Sequence, residues 1–294
     1  MAGAPFGRVL TAMVTPFTAG GELDLDGAAE LATRLVADGN DGLVVNGTTG
    51  EAPTTSDAEK SDLVRAVVDA VGDRASVVAG VGTNDTAHTV GLAQDAAKAG
   101  ASGLLVVTPY YNKPPQAGIV AHVERVAGAT DLPVMLYDIP GRSGVAIETP
   151  TLVHLAGHPQ VVALKDAKLD LEATSWVLRE TDLAYYSGHD PWTLPLLSIG
   201  AVGVVGTSTH FTAAATAALV RAFLAGDVAE AQRLHAQLLP AYSGVFRTQG
   251  TILVKAGLRA LGLPAGPVRL PLVDATPEQV EVLRADLAAA GVAA

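Results

Sequence analysis

The sequence predicts an α/β protein: a closed (β/α)8 barrel of the TIM type, followed by a helical extension. Three observations carry that prediction. Short apolar runs recur eight times along the chain with amphipathic segments between them, at spacings of roughly 20 to 35 residues, which suit a closed barrel better than an open doubly wound sheet. Hydrophobic residues make up 49% of the chain and aromatics only 4%, so the interior must be built from Ala, Val, Leu and Ile, as in parallel sheets covered by helices. The length, 294 residues, is one at which such barrels form a single unit.

In chain order the strands are "VLTAMV" from Val9, "GLVV" from Gly42, "SVVAGV" from Ser76, "GLLVV" from Gly103, "PVMLY" from Pro133, "VVAL" from Val161, "LAYY" from Leu183 and "AVGVV" from Ala201. Between them lie stretches such as "LDGAAELATRLVADG", "SDAEKSDLVRAVVDAVG" and "DTAHTVGLAQDAAKAG", opened by Asp or Ser at a capping position and closed by Gly. Such alternation implies parallel strands joined by right-handed crossovers. In the seventh unit "SGHDPWTLPLLSIG" leaves room only for a short helix carrying two prolines. After about Gly226 the pattern becomes helices alone, in "DVAEAQRLHAQLLPAYSGVF", "GTILVKAGLRALGL" and "TPEQVEVLRADLAAAG". Residues 1–225 are therefore read as the barrel and 226–294 as an extension that packs on it or forms an oligomer surface.

Composition removes several function classes. A net charge of −11 argues against nucleic acid, whose phosphates need a basic face, and means that any carboxylate site must be locally positive. With Cys 0, disulfides, thiolate nucleophiles and cysteine metal sites are all out, which is compatible with a reducing compartment. The start "MAGAPFGRVL" has no basic segment followed by an apolar one, so no export leader is expected. Apolar runs fall well short of the ~20 residues that cross a bilayer, and the mean hydropathy of +0.33 is assigned to core. A cytoplasmic protein with no membrane partner is expected.

Chemistry in such barrels sits at the carboxyl ends of the strands. There the chain reads "NGTTGEAP" after strand two, "TPYYNKPP" after four, "YDIPGRSG" after five, "KDAK" after six and "GTST" after eight. Hydroxyls, one lysine and one arginine converge, and metal ligands do not. His154 and His158 have the spacing of a helical ligand pair, but "HLAGH" lacks a carboxylate and sits at a helix end, and the other histidines are scattered; no metal is expected. Lys165, at the end of "VVALK", either snorkels to solvent or is held apolar and becomes a nucleophilic amine. Lys60 and Lys98 belong to polar helix faces, Lys113 to a loop, Lys168 to the segment past the strand and Lys255 to a tail helix, so only Lys165 ends an inward-facing strand. An ordinary lysine, of pKa about 10.4, is neutral in about 1 molecule in 10³ at pH 7; lowering that pKa by ~3 units through burial and a nearby cation corresponds to about 4 kcal/mol. Around Thr48 and Thr49, "GTTGE" is either a nest of N–H groups suited to a carboxylate or a plain Gly-rich turn. Tyr137 either shuttles protons beside Lys165 or fills the barrel mouth. Arg142 in "IPGRSG" is either a substrate contact or an exposed turn charge.

"GTTGE", "TPYYNKPP", "YDIPGRSG" and the strand ending in Lys165 stand in an order and spacing that resembles the dihydrodipicolinate synthase and N-acetylneuraminate lyase superfamily of class I aldolases, most closely its synthase branch. The resemblance runs from "LTAMVTPF" to the last helix. It implies an enzyme that condenses pyruvate with L-aspartate semialdehyde at the first committed step of the diaminopimelate route to lysine, with no metal or organic cofactor. Lys165 would form the Schiff base with C2 of pyruvate, and Thr49 with the adjacent backbone would hold the pyruvate carboxylate. Tyr137, Thr48 and Tyr111 would be the proton relay, with Tyr111 supplied by the neighbouring subunit of a dimer, two of which usually form a homotetramer. Arg142 would bind the semialdehyde carboxylate, and Gly188 and Val205 would belong to the substrate pocket.

The chain departs from the family pattern at Asp166, where Glu is usual; at "GVVGTST" along the pyruvate pocket; at Ala52 and Pro53; and at His88, where lysine-inhibited relatives carry a carboxylate for the inhibitor's amine. Asn84 and Tyr110 of that allosteric cleft remain, and weak or absent inhibition by lysine is expected. The alternatives are a paralogous pyruvate aldolase or lyase acting on another aldehyde or sugar acid, and an isomerase-type phosphate site at "AVGVVGTS". A barrel that has lost catalysis and only binds finds no support in the intact Lys165, Tyr137 and Thr48.

Overall fold

Aliphatic runs too short for helices and flanked by capped amphipathic segments make strands β1 (Val9–Ala12), β2 (Gly42–Val45), β3 (Ser76–Gly80), β4 (Gly103–Val107), β5 (Val134–Asp138), β6 (Val161–Asp166), β7 (Ala184–Ser187) and β8 (Gly203–Gly206). Each falls on one of the eight predicted runs. All are parallel, each pairs with the next, and β8 pairs back onto β1, closing the barrel. The computed structural model describes residues 3–292; the first two residues of the amino-terminal segment and the last two of the tail lie outside the described residues.

Side-chain alternation along the strands sorts the apolar residues into two layers. Leu10, Val44, Val78, Met135, Ala163 and Tyr186 fill the barrel, whereas Leu43, Leu104, Leu136 and Leu164 pack outward against the helices. Phe6 plugs the amino end of the barrel and is 1% exposed. Its ring explains Gly103: a Cβ there would stand 2.4 Å from Phe6 Cε1, so no larger residue fits at the start of β4.

The helices are α1 (Leu25–Ala37), α2 (Asp57–Val71), α3 (Thr86–Lys98), α4 (Gln116–Ala127), α5 (Pro140–Ser143), α6 (Thr149–Leu155), α7 (Leu171–Glu180), α8 (Thr193–Ser198) and α9 (Thr209–Leu224). Asp24, Ser56 and Asp85 cap α1, α2 and α3 through their side chains, and Ser56 forms a reciprocal box with Glu59. The two-proline segment forms a 3-10 turn at Asp190–Trp192 and the short α8, as its composition requires.

The tail supplies α10 (Val228–Gly244), α11 (Gly250–Ala260) and α12 (Pro277–Ala289). α10 packs on α9 through Leu234, Leu238 and Tyr242, and α12 lies on α10. α11 is buried along its first nine residues, Gly250 to Leu258, and its amino end reaches the barrel mouth, where Thr251 donates to the Thr49 carbonyl. Here the structure corrects one expectation: Lys255, taken from sequence as an ordinary tail-helix lysine, is 0% exposed and ion-paired to Glu51 at 2.7 Å.

Candidate active site

Strand register places Tyr137 on β5, Lys165 on β6 and Tyr186 on β7 side by side, facing the barrel interior. Lys165 is 5% exposed, and its Nζ lies 4.3 Å from the centre of the Tyr137 ring. Burial pushes the amine down to about 8; the charge of Arg142 works in the same direction and that of Asp190 against it. At pH 7 roughly one amine in ten is then neutral, some hundredfold more than in an exposed lysine. The snorkelling reading is thereby removed. Burial also pushes the Tyr137 phenol up to about 12, so it keeps its proton and acts as a donor. Gly188 closes over the lysine: a Cβ there would come within 3.0 Å of Lys165 Cγ and of the Asp166 carbonyl.

The "GTTGE" loop lies between two residues in the left-handed region, Asn46 (φ 57) and Glu51 (φ 56). Each such non-glycine residue costs on the order of 1 kcal/mol and persists only where its surroundings hold it. They do. Asn46 Nδ2 donates to the Lys60 carbonyl at 3.1 Å, Thr15 Oγ1 to the Gly50 carbonyl at 2.6 Å, and Glu51 accepts from Lys255 Nζ and from the Arg269 N–H at 2.8 Å. Thr48 and Thr49 thereby face the cavity, and Thr49 Oγ1 meets Thr207 Oγ1 at 3.4 Å.

The loop after β8 is held from beneath by Asp190, 2% exposed. Its Oδ2 accepts from the Thr207 N–H at 3.2 Å; its Oδ1 accepts from the Ser208 N–H at 3.1 Å and from Ser208 Oγ at 2.5 Å. His210 ties the same loop to β1. Its Nε2 accepts from the Val14 N–H at 3.1 Å, so Nδ1 carries the proton donated to the Thr207 carbonyl at 2.8 Å. Burial pushes His210 down to about 4, so the ring stays neutral. Asp190 and His210 carried no sequence signal, because their partners are distant in the chain.

These loops enclose a cavity of about 480 Å³ lined by Thr48, Thr49, Tyr137, Arg142, Lys165 and Gly188, with Thr207 on one wall and His189, Phe246, Gln249 and Thr251 on the outer side. Six sequence-predicted residues are brought together there; the outer wall is what the sequence reading missed, the one cue being a polar "TQGT" at the start of a buried helix. Arg142, exposed on α5, stands at the mouth without an ion pair among the described residues. Val205 packs inside the barrel, and Thr207, two residues on, forms the wall.

A second cavity, of about 310 Å³, lies across Tyr137 and is shared by Thr48, Arg142, Tyr110 and Tyr111. Tyr111, at φ 74, is 89% exposed and belongs to this outer space, not to the wall around Lys165. Asn84 and His88 line neither cavity: the Asn84 carbonyl accepts from Asn112 Nδ2 at 2.9 Å, and His88 Nε2 meets the Asp57 carboxylate at 3.0 Å. Asp166 faces outward, accepting from the Lys168 N–H at 2.6 Å and from Thr174 Oγ1 at 3.0 Å, so its carboxylate is satisfied at aspartate length. His154 pairs with Glu124 at 3.0 Å while His158 Nδ1 accepts from the Gln160 N–H, and among the described residues no three His, Cys, Asp or Glu side chains gather as a metal site. Among them, too, no helix is long and apolar enough to cross a membrane.

Comparison with known proteins agrees with this geometry. The family model described as "Dihydrodipicolinate synthetase family" matches residues 5–290. The chain is similar to the 4-hydroxy-tetrahydrodipicolinate synthase of Acidothermus cellulolyticus, 71% identical over 288 residues that cover 98% of this chain and 94% of the relative. It is 62% identical to the 4-hydroxy-tetrahydrodipicolinate synthase 2 of Streptomyces coelicolor, over 98% of this chain and 96% of that one. Among solved structures, the lysine-bound enzyme of Cyanidioschyzon merolae superposes with a TM-score of 0.95 at 44% identity, covering 98% of this chain and 99% of the other.

Proposed function

The chain belongs to the dihydrodipicolinate synthetase family, and from that premise we infer that it is a lyase-class enzyme of lysine biosynthesis that condenses pyruvate with L-aspartate semialdehyde through a Schiff base on Lys165. The observation that carries this reading is a lysine buried at a strand end, its amine pushed down to about 8, opening on a cavity that Thr48 and Thr49 also line, with an arginine at the mouth that has no ion pair among the described residues. The neutral amine adds to C2 of pyruvate, and loss of water leaves the imine. Thr49 with the adjacent backbone holds the carboxylate. The C3 proton passes into the relay of Tyr137, Thr48 and the Tyr111 of a neighbouring subunit, giving the enamine, and the relay returns a proton to the alkoxide formed when the enamine adds to the aldehyde carbon of the semialdehyde. The semialdehyde's own amine then displaces Lys165 from C2, closing the ring and freeing the enzyme. Gly188 shapes the pocket over the lysine, while Val205 packs inside the barrel and leaves the wall to Thr207.

Arg142 favours the semialdehyde over an uncharged aldehyde as second substrate, because a guanidinium at the mouth, without an ion pair among the described residues, matches a carboxylate arriving on the aldehyde partner. The chemistry calls on no metal or organic cofactor. A cytoplasmic homotetramer of two dimers belongs to this reading, and the exposure of the Tyr111 side chain accords with its exchange between the subunits of a dimer. Lysine feedback is weak in this reading, because His88, which meets the Asp57 carboxylate at 3.0 Å, stands where a carboxylate for the inhibitor's amine would be needed. The test is incubation with pyruvate and a hydride donor, then peptide mass analysis and product identification with semialdehyde. A pyruvate-derived mass on Lys165 and a cyclic product support the reading; no adduct, or turnover only with a different aldehyde, defeats it.

A further inference from the structure

α11 of the tail contacts the "GTTGE" loop twice from one helix face. Thr251 and Lys255 are four residues apart and so share that face. Thr251 Oγ1 donates to the Thr49 carbonyl at 3.2 Å, and Lys255 Nζ reaches Glu51 Oε1 at 2.7 Å, with both charged side chains at or below 1% exposure. The Lys255 ammonium also donates to the Pro267 carbonyl at 2.7 Å and rests 4.0 Å over the Phe17 ring, whose environment also includes the Arg269 guanidinium at 4.1 Å. We propose that Thr251 and Lys255 are positioning residues that clasp the Thr48–Thr49 nest in the shape that receives the pyruvate carboxylate.

The clasp does more than fill space. Its two contacts land on either side of Gly50, inside a loop whose ends sit in left-handed backbone and which therefore needs restraint. Holding the Thr49 carbonyl fixes the Thr49–Gly50 peptide plane, and holding Glu51 fixes the turn that ends the loop. Thr251 also lines the cavity, so movement of α11 would reach the carboxylate subsite directly. Among buried ion pairs such geometry is a means of specifying position more than of gaining stability.

The inference rests on the assignment of pyruvate to this cavity, and the test separates the two. Reductive trapping of pyruvate on Lys165 is measured against pyruvate concentration, alongside steady-state kcat. Thr251→Val, which keeps shape and removes the hydroxyl, should raise half-saturating pyruvate about fivefold or more, leave kcat at saturation within about twofold, and be rescued by Thr251→Ser. The neutral pair Glu51→Gln with Lys255→Met should shift it in the same direction, and Lys255→Arg less. Half-saturation within twofold of the parent in Thr251→Val, or equal damage in Thr251→Ser, overturns the clasp while leaving the Schiff base intact. A parent protein that takes no adduct overturns both. Should the Lys255 variants misfold, the Thr251 pair still decides.

Discussion

Lys165 and Lys255 are both buried lysines whose amines burial pushes down to about 8, yet only Lys165 opens on a cavity; Lys255 spends its amine on Glu51 and the Pro267 carbonyl. Depressed basicity alone therefore does not mark a nucleophile, and access decides. If Lys165 reacts as the neutral amine, as proposed, kcat/KM for pyruvate should rise with pH up to about 8 and level off above it; the Tyr137 phenol, held protonated to about 12, imposes no fall in that range. Asp190 favours the ammonium, so Asp190→Asn should move the acid limb of that profile to lower pH, and an unmoved or higher midpoint would count against the assignment. Lys165, Tyr137 and the Thr48–Thr49 pair were readable in the sequence because each lies at or a few residues past the carboxyl end of a strand, where position in the chain fixes position in the barrel. Asp190, His210 and Lys255 were not, because each role depends on at least one partner distant in the chain, Thr207 for Asp190, Val14 for His210 and Glu51 for Lys255, at pairings that no local pattern records.

Two short elements govern what the site accepts. The turn after β7 brings Gly188 against Lys165, and with both contacts at 3.0 Å a methyl group would press on the lysine stem and the Asp166 carbonyl. Gly188→Ala should cut the pyruvate trapping rate by about tenfold or more, since displacements well under 1 Å at a reacting atom are already costly; a rate equal to the parent's would show that the lysine has room to spare. α5 carries Arg142 to the mouth without fixing it to another side chain. Arg142→Ala should raise the semialdehyde KM by roughly 10- to 100-fold, the worth of one charge-assisted bond, while pyruvate trapping changes by less than about twofold. Equal loss of both would remove its role in choosing the second substrate. The strands were readable from length and aliphatic content, and α8 from its prolines. The approach of α11 to the barrel mouth was not readable, since an amphipathic pattern shows that a helix has a buried face without showing what covers it.

Across the molecule, the barrel and its tail share one site. α11 reaches the loop after β2, and α10 covers α9, burying Leu234, Leu238 and Tyr242 against Leu219 and Val220. Each leucine so exposed would cost about 1.5–3 kcal/mol against a total stability of roughly 5–15 kcal/mol. A chain ending at Gly226 should therefore be insoluble or molten, as read by solubility and near-UV circular dichroism; a folded, pyruvate-trapping fragment would make the tail dispensable. The proposed chemistry depends on the neutral amine of the buried Lys165 facing this cavity. The most direct measurement is the pH dependence of pyruvate adduct formation under cyanoborohydride, with the modified peptide identified at each pH. The account predicts one adduct, on Lys165, whose rate rises with a midpoint near 8. A midpoint near the ordinary lysine value of about 10.4, or modification shared with Lys255 and surface lysines, would contradict it.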